Sequence, residues 1–149
     1  MPKTIIFIDI DGVLHPDGTA RLEPVGDELR VVGEGLFRWA PLLWDAIAAH
    51  DVGLVIHSTW RFNHTVDELK AYFPEASRSR IIGVTGRGGR HDSIIEYADQ
   101  HAIARYLVLD DMPHEFPPGW PCLVSCDGAI GISDRKVLAA VIAFVTSIS

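Results

Sequence analysis

A short apolar run near the N-terminus, Ile5-Ile6-Phe7-Ile8, is followed at once by Asp9-Ile10-Asp11-Gly12. Three of the four residues in the run are β-branched. Such a run, when a turn signal bounds it, predicts a strand that is buried on both faces. Strands of this kind occur in parallel sheets that helices cover, so this stretch constrains the fold more than any other.

Two carboxylates, Asp9 and Asp11, lie at the carboxyl end of this predicted strand. Neighbouring carboxylates repel each other and resist burial unless a cation or a proton compensates them. Ligands of open α/β sheets bind outside the carboxyl ends of the strands. We therefore interpret the two acids as a site with a divalent metal ion. An ordinary Asp-Gly turn beside an incidental acid is the alternative at this point.

Length and composition predict a single domain over residues 1–149 with a substantial core. No apolar run approaches the ~20 residues that span a membrane, and Met1–Thr4 leave no room for a signal peptide. Cys122 and Cys126 make no disulfide framework, so we expect a reduced, cytoplasmic setting. A net charge of −7 argues against a general nucleic-acid or membrane binder.

The rest of the chain predicts strands that alternate with helices. A small flap is expected between His15 and Gly35, then a helix over residues 36–50 in which Pro41 either lies in the first turn or makes a kink. Further strands are predicted at Val52–His57, Arg80–Val84, Arg105–Leu109 and Cys122–Ser125, and further helices at 65–73, 91–101 and 133–147, the last capped by Ser133 or Asp134. About five parallel strands with intervening helices predict an α/β, three-layer, doubly wound Rossmann-like fold with a small flap and no large cap.

Polar residues follow several of these strands. Ser58-Thr59-Trp60-Arg61 supplies two hydroxyls and a guanidinium that suit an oxyanion, although Ser and Thr are also common helix caps. A glycine-rich loop carries Arg87 and Arg90. Asp110-Asp111 is the second acidic pair at the carboxyl end of an apolar run, and this recurrence favours the metal site over the turn.

In these residues the chain resembles the haloacid dehalogenase (HAD) superfamily. Four motifs occur in the family's order across nearly the whole chain. They are Asp9–Val13, Ser58 or Thr59, Arg90 or Arg87 in place of the usual lysine, and Asp110-Asp111. The short spacing after the first motif resembles capless members, and the Ser-Thr-Trp-Arg sequence is similar to the small HAD domains associated with RNA repair proteins.

The resemblance implies a Mg²⁺-dependent phosphatase that cleaves a phosphomonoester through an aspartyl-phosphate. It implies that Asp9 is the nucleophile and that Asp11 protonates the leaving group and then activates water. Mg²⁺ would be held by the side chains of Asp9 and Asp110 and by the backbone carbonyl of Asp11. Asp111 would be either a direct ligand or a partner of one.

The resemblance also implies a phosphate-binding set. Ser58 or Thr59 would hydrogen-bond a phosphoryl oxygen, and Arg90 or Arg87 would offset the charge of the transferring group. An open site without a cap would admit a phosphorylated small molecule or a macromolecular end. A nucleic-acid end is compatible with such a site, although the net charge does not support long nucleic acids.

Other classes of function are weaker alternatives. A phosphate-binding or regulatory module with little turnover would not need both Asp9 and Asp11. A receiver domain would end its third strand in an aspartate, where this chain has Gly83-Val84-Thr85. No two histidines have the H-E-x-x-H spacing of zinc enzymes. His15 and His114 are candidate substrate contacts.

Overall fold

The chain forms an α/β fold in the computed structural model, which describes Pro2 and residues 4–147. Within these residues the strands are β1 (Thr4–Ile8), β2 (Arg21–Val25), β3 (Glu28–Val32), β4 (Val52–Ile56), β5 (Ile81–Val84), β6 (Arg105–Asp110) and β7 (Leu123–Ser125). The α-helices are α1 (Ala40–Ile47), α2 (Val66–Lys70), α3 (Arg90–Gln100) and α4 (Arg135–Thr146). No helix in this part of the chain has the length and apolar character needed to cross a bilayer.

Five strands form one parallel sheet in the order β5-β4-β1-β6-β7. β1 lies in the middle and pairs with β4 and β6 along its whole length. Its Ile6 and Ile8 pack in the core that α1, α2 and α4 cover, whereas Ile5 and Phe7 pack with α3 on the other face. This confirms the predicted doubly wound fold, because a strand that is apolar at every position has helices on both sides.

The strand order brings separate parts of the chain together at one edge of the sheet. After β1 the chain builds β4 and β5 on one side, and it then crosses to β6 on the other side of β1. Where the winding reverses in this way, the loops after neighbouring strands diverge and leave a crevice. The residues that follow β1, β4 and β6 therefore surround a common crevice.

Two helix boundaries resolve alternatives that the sequence leaves open. Pro41 lies in the first turn of α1, where its missing N–H costs nothing, so the helix is shorter than the predicted 36–50. Asp134 caps α4, and its side chain accepts a hydrogen bond from the backbone N–H of Lys136. Ser133 belongs to the preceding turn.

The flap is an antiparallel hairpin of β2 and β3. The flap forms where the sequence predicts it, although Pro24 lies within β2 and prolines are rare within sheets. Pro24 is tolerated because this two-stranded hairpin is open on its outer edge. All five residues of β2 are exposed, which leaves this face of the flap in solvent beside the site.

Candidate active site

Three carboxylates meet in the crevice at the carboxyl ends of β1 and β6. Asp9, Asp110 and Asp111 each offer an oxygen that lies within 4.8 Å of the other two. Burial and the neighbouring charge of Asp110 raise the pKa of Asp9 to about 7. Carboxylate oxygens are the ligands that Mg²⁺ prefers. A bound cation would offset the repulsion between Asp9 and Asp110 that contributes to this raised pKa. The donor set therefore fits a hard divalent ion.

Gly12 and Gly128 make room for the side chain of Asp111. Gly12 has φ of +78°, and a Cβ atom at this position would lie 2.2 Å from Oδ2 of Asp111. A Cβ atom at Gly128 would lie 2.9 Å from the same oxygen. A side chain at either position would displace the carboxylate of Asp111, so the two glycines allow Asp111 to reach the acid cluster of Asp9, Asp110 and Asp111.

Asp110 is held by three hydrogen-bond donors. Arg90 Nη1 and His57 Nε2 lie 2.6 Å and 2.7 Å from its Oδ2, and the backbone N–H of Met112 donates to its Oδ1 at 2.8 Å. Burial alone would raise the pKa of Asp110, but the contacts with His57 and Arg90 lower it below its ordinary value. His57 is itself fully buried. It is a supporting residue of the cluster that the sequence analysis does not assign.

Arg90 bridges two of the acids. Its Nη1 lies 3.0 Å from Oδ2 of Asp9 and 2.6 Å from Oδ2 of Asp110. Arg87 is exposed and donates to the backbone carbonyl of Phe62 at 3.1 Å. Of the two arginines that the sequence leaves open, the structure brings Arg90 into the acid cluster and leaves Arg87 on the loop surface.

Asp11 has an environment of its own beside the cluster. His15 Nε2 lies 2.7 Å from its Oδ1, and Trp60 Nε1 donates to its Oδ2 at 2.9 Å. Burial alone would raise the pKa of Asp11, but these hydrogen bonds and the charge of Arg90 lower it. The expectation that His15 contacts substrate is not met, because the buried ring has both nitrogens engaged, Nε2 by Asp11 and Nδ1 by the backbone N–H of Phe37. His114 is exposed and, with Arg90, lines an open cleft of about 300 Å³.

The two candidate hydroxyls differ in their surroundings. Ser58 lies two residues after the end of β4 and is fully buried. Its Oγ accepts a hydrogen bond from the backbone N–H of Trp60 at 3.2 Å, which leaves its own hydrogen to donate to an oxyanion. Thr59 is exposed. Ser58 is therefore fixed by its neighbours, whereas Thr59 lies at the surface.

Arg61 does not present its guanidinium to an oxyanion as the sequence suggested. The side chain is only 6% exposed. Its nitrogens donate to the backbone carbonyls of His57, Ser58, Gly86 and Gly88. Arg61 thus ties the loop after β4 to the loop before α3, and its charge is used within the fold.

An open cleft of about 200 Å³ lies between the flap and residues 59–64. The indole of Trp60 and the ring of His64 are stacked at this end of the flap, with ring centroids 5.4 Å apart. The cleft is lined by Asp11, Ala20, Arg21, Leu22, Val31, Thr59, Trp60, Asn63 and His64. Because Asp11 forms part of its wall, a group in this cleft would lie beside the second carboxylate.

Comparison with known proteins places the chain in one family. The family model described as "HAD domain in Swiss Army Knife RNA repair proteins" matches residues 5–137. The match runs from β1 into α4 and includes every residue of the acid cluster. No curated protein and no solved structure gives a significant match. The family match confirms the resemblance and the fold that the sequence predicted.

Proposed function

Because the chain belongs to the family of HAD domains found in Swiss Army Knife RNA repair proteins, we propose that it is a Mg²⁺-dependent phosphohydrolase that cleaves a phosphomonoester through an aspartyl-phosphate. Family membership indicates hydrolase-type chemistry in general. The proposal of a two-step phosphatase reaction rests on one observation, which is that the two carboxylates of the first motif have different surroundings. Asp9 lies in a cluster suited to a metal ion, whereas Asp11 lies on the wall of an open cleft.

The acid cluster supports the choice of metal. Asp9, Asp110 and Asp111 would hold the ion, together with the backbone carbonyl of Asp11. A bound Mg²⁺ would neutralise charge on the carboxylates and on the phosphoryl group. Arg90 cannot replace it, because the guanidinium contacts only Asp9 and Asp110 among the three carboxylates, and the pKa of Asp9 stays raised in spite of that contact.

Asp9 is the proposed nucleophile. The backbone N–H of Ile10 donates to its Oδ1 at 2.8 Å, and Arg90 lies at its Oδ2, so the carboxylate is fixed in orientation. An oxygen of Asp9 forms a bond to phosphorus while the bond from phosphorus to the leaving oxygen breaks. Ser58 donates to a phosphoryl oxygen, and the charge of Arg90 balances the charge of the transferring group.

Asp11 is the proposed acid and base. In its protonated form Asp11 gives a proton to the leaving oxygen in the first step. In the second step it takes a proton from the water whose oxygen attacks phosphorus, and this releases inorganic phosphate and the Asp9 carboxylate. The side chain of Asp11 is 31% exposed, so a leaving group and a water molecule can both approach it.

The substrate is proposed to be a phosphorylated small molecule or a phosphorylated macromolecular end. The clefts beside Asp11 and Arg90 are both open, so the site does not require a substrate small enough to be enclosed. The family description names RNA repair proteins, which makes a phosphorylated RNA end the first macromolecular substrate to test. The net charge of −7 limits the contact to the end itself.

The test is release of inorganic phosphate from sugar phosphates, nucleotides, 3′- and 5′-phosphorylated oligonucleotides and phosphopeptides, with Mg²⁺ or with EDTA. Asp9→Asn is the test variant. Asp45→Asn is the matched control, because Asp45 is an exposed aspartate on α1, away from the clefts beside Asp11 and Arg90. Metal-dependent release that is lost only in Asp9→Asn supports the proposal. If the folded protein binds Mg²⁺ and inorganic phosphate but releases none, it is a phosphate-binding module instead.

A further inference from the structure

We propose that His15 is a positioning residue that holds the carboxylate of Asp11 in the orientation needed for proton transfer to and from substrate. The inference rests on the proposed phosphohydrolase function and adds a residue to it. His15 touches neither the acid cluster nor the open cleft, because its side chain is fully buried. Its effect on the reaction therefore passes through Asp11.

The hydrogen bonds of His15 determine which ring nitrogen carries the proton. Nδ1 lies 3.1 Å from the backbone nitrogen of Phe37 and accepts its N–H. A nitrogen that accepts a hydrogen bond carries no proton, so the single proton of the neutral ring is on Nε2. Nε2 lies 2.7 Å from Oδ1 of Asp11. The ring is therefore a donor with one fixed direction, toward Asp11.

The local backbone holds the His15 ring in this place. The backbone N–H of Gly12 donates to the carbonyl of His15 at 2.9 Å, which closes a tight turn between Asp11 and its partner. Phe37 has φ of +57°, a conformation that L-residues rarely adopt. The ring of Phe37 also packs edge-on against the ring of His15, with centroids 5.4 Å apart.

Trp60 completes the arrangement from the other side. His15 binds Oδ1 of Asp11 and Trp60 Nε1 binds Oδ2. Two donors on different oxygens prevent the carboxylate from rotating about its Cβ–Cγ bond. Without His15, Asp11 would keep one partner and gain rotational freedom, and a general acid that is misplaced by about 1 Å loses much of its effect.

This role predicts a dependence on the leaving group. An alkoxide is strongly basic and needs a proton as its bond to phosphorus breaks, whereas 4-nitrophenoxide is weakly basic and leaves without one. Loss of Asp11 positioning should therefore lower kcat/KM much more for an alkyl phosphate than for 4-nitrophenyl phosphate. A residue that only stabilises the fold would lower both values equally.

The experiment compares His15→Phe and His15→Gln with the wild-type protein on both esters. His15→Phe keeps an aromatic ring but removes the donor, and it should lower kcat/KM for the alkyl ester by about 100-fold while affecting the aryl ester far less. His15→Gln supplies an amide N–H at a similar reach and should recover most of the loss. His101→Gln, at the exposed far end of α3, is the control and should resemble wild type.

Equal losses on the two esters, or no recovery in His15→Gln, overturn the proposal. A Mg²⁺-induced rise in melting temperature shows that each variant still assembles the acid cluster, so a misfolded variant is recognised as such. Long-range ¹H–¹⁵N spectra of the His15 ring test the contact without turnover. A proton on Nδ1 rather than Nε2 would also overturn the proposal. If the wild-type protein cleaves neither ester, the proposed function fails, and that result is distinct from an active enzyme that is indifferent to His15.

Discussion

The guanidinium of Arg61 donates from Nη2 to the carbonyl oxygen of Gly88 at 2.9 Å. The same side chain binds the carbonyl of Ser58 at 2.9 Å, so one buried cation connects two loops of the site. One loop carries Ser58 and the other leads into Arg90. A planar guanidinium can serve both loops because its donors point in several directions, whereas an ammonium is a single point charge.

Arg61→Lys should lower both stability and activity. Several buried carbonyls would lose their donors, and each unpaired group costs about 1–3 kcal/mol in the free energy of unfolding. Urea denaturation measures this loss, and phosphate release measures the accompanying fall in kcat/KM. Arg38→Lys is the matched control, since Arg38 also donates to backbone carbonyls but is exposed. A similar loss in the two variants would contradict the role assigned to Arg61.

Arg90→Gln and Arg87→Gln should separate the two candidates for the third motif. Removing Arg90 takes away the only charge that bridges Asp9 and Asp110 among the described residues. We expect kcat/KM to fall by about 100- to 1,000-fold, whereas Arg87→Gln should change it little. Steady-state kinetics on the best substrate decide this. The reverse order of effects would assign the motif to Arg87.

The sheet could be predicted from the sequence because its strands are almost wholly apolar. Ile5-Ile6-Phe7-Ile8 and Val52–Ile56 are buried at every position, and such runs admit few alternatives. The acids could be predicted as well, since Asp9 directly follows the first of these runs and Asp110 directly follows the apolar residues of β6. The residues that hold these acids in place could not be predicted from the sequence. His57 and Asp110 are 53 positions apart, and their contact depends on how strands separated in the chain are paired.

Arg61 and His15 illustrate the same limit. From the sequence, Arg61 stands beside two hydroxyls and resembles a phosphate ligand, yet burial brings it among backbone carbonyls. His15 resembles an accessible polar residue near the site. Its burial depends on Phe37, 22 positions away. Residue type and spacing indicate which side chains lie at the carboxyl edge of the sheet, but they do not indicate which of those side chains are buried by other parts of the chain.

The stability of the metal-free protein should depend on pH through Asp9. Its pKa is raised from 3.8 to about 7 by burial and by Asp110, so the folded state binds this proton more tightly than the unfolded state. The contribution of Asp9 to the free energy of unfolding therefore falls as pH rises from about 4 to about 7. Urea denaturation in EDTA across this range should show a steeper decline for wild type than for Asp9→Asn. Equal slopes would contradict the raised pKa.

Mg²⁺ should raise the melting temperature, because it binds the folded state and not the unfolded chain. At a concentration 100 times its Kd the stabilisation is about 2.7 kcal/mol. Asp111→Asn should abolish this response if Asp111 is a direct ligand and reduce it if Asp111 only supports one. Asp45→Asn, an exposed aspartate on α1, should leave the response intact. An undiminished response in Asp111→Asn would remove this residue from the metal site.

Gly12→Ala should disrupt the acid cluster beyond its effect on the backbone. Gly12 and Gly18 both have positive φ, but a Cβ at Gly12 meets Asp111 while a Cβ at Gly18 meets nothing within 4 Å. Both substitutions should cost about 1–3 kcal/mol through backbone strain, and only Gly12→Ala should also lose the Mg²⁺-induced thermal shift. Gly18→Ala thus separates strain from steric contact. Equal thermal shifts in the two variants would show that Asp111 moves aside without consequence.

The central position of β1 in the sheet has a consequence for how the chain folds during its synthesis. Asp9 leaves the ribosome well before its partner Asp110, because β4 and β5 are made between them. Pairing of parallel strands so distant in sequence is slow, because the intervening chain must be closed into a loop first. Until β6 has docked beside β1, the proposed nucleophile Asp9 therefore lacks the neighbours Asp110 and Asp111 that complete the acid cluster. The acid cluster on which the proposed reaction depends is thus assembled only with the finished sheet, at a late step of folding.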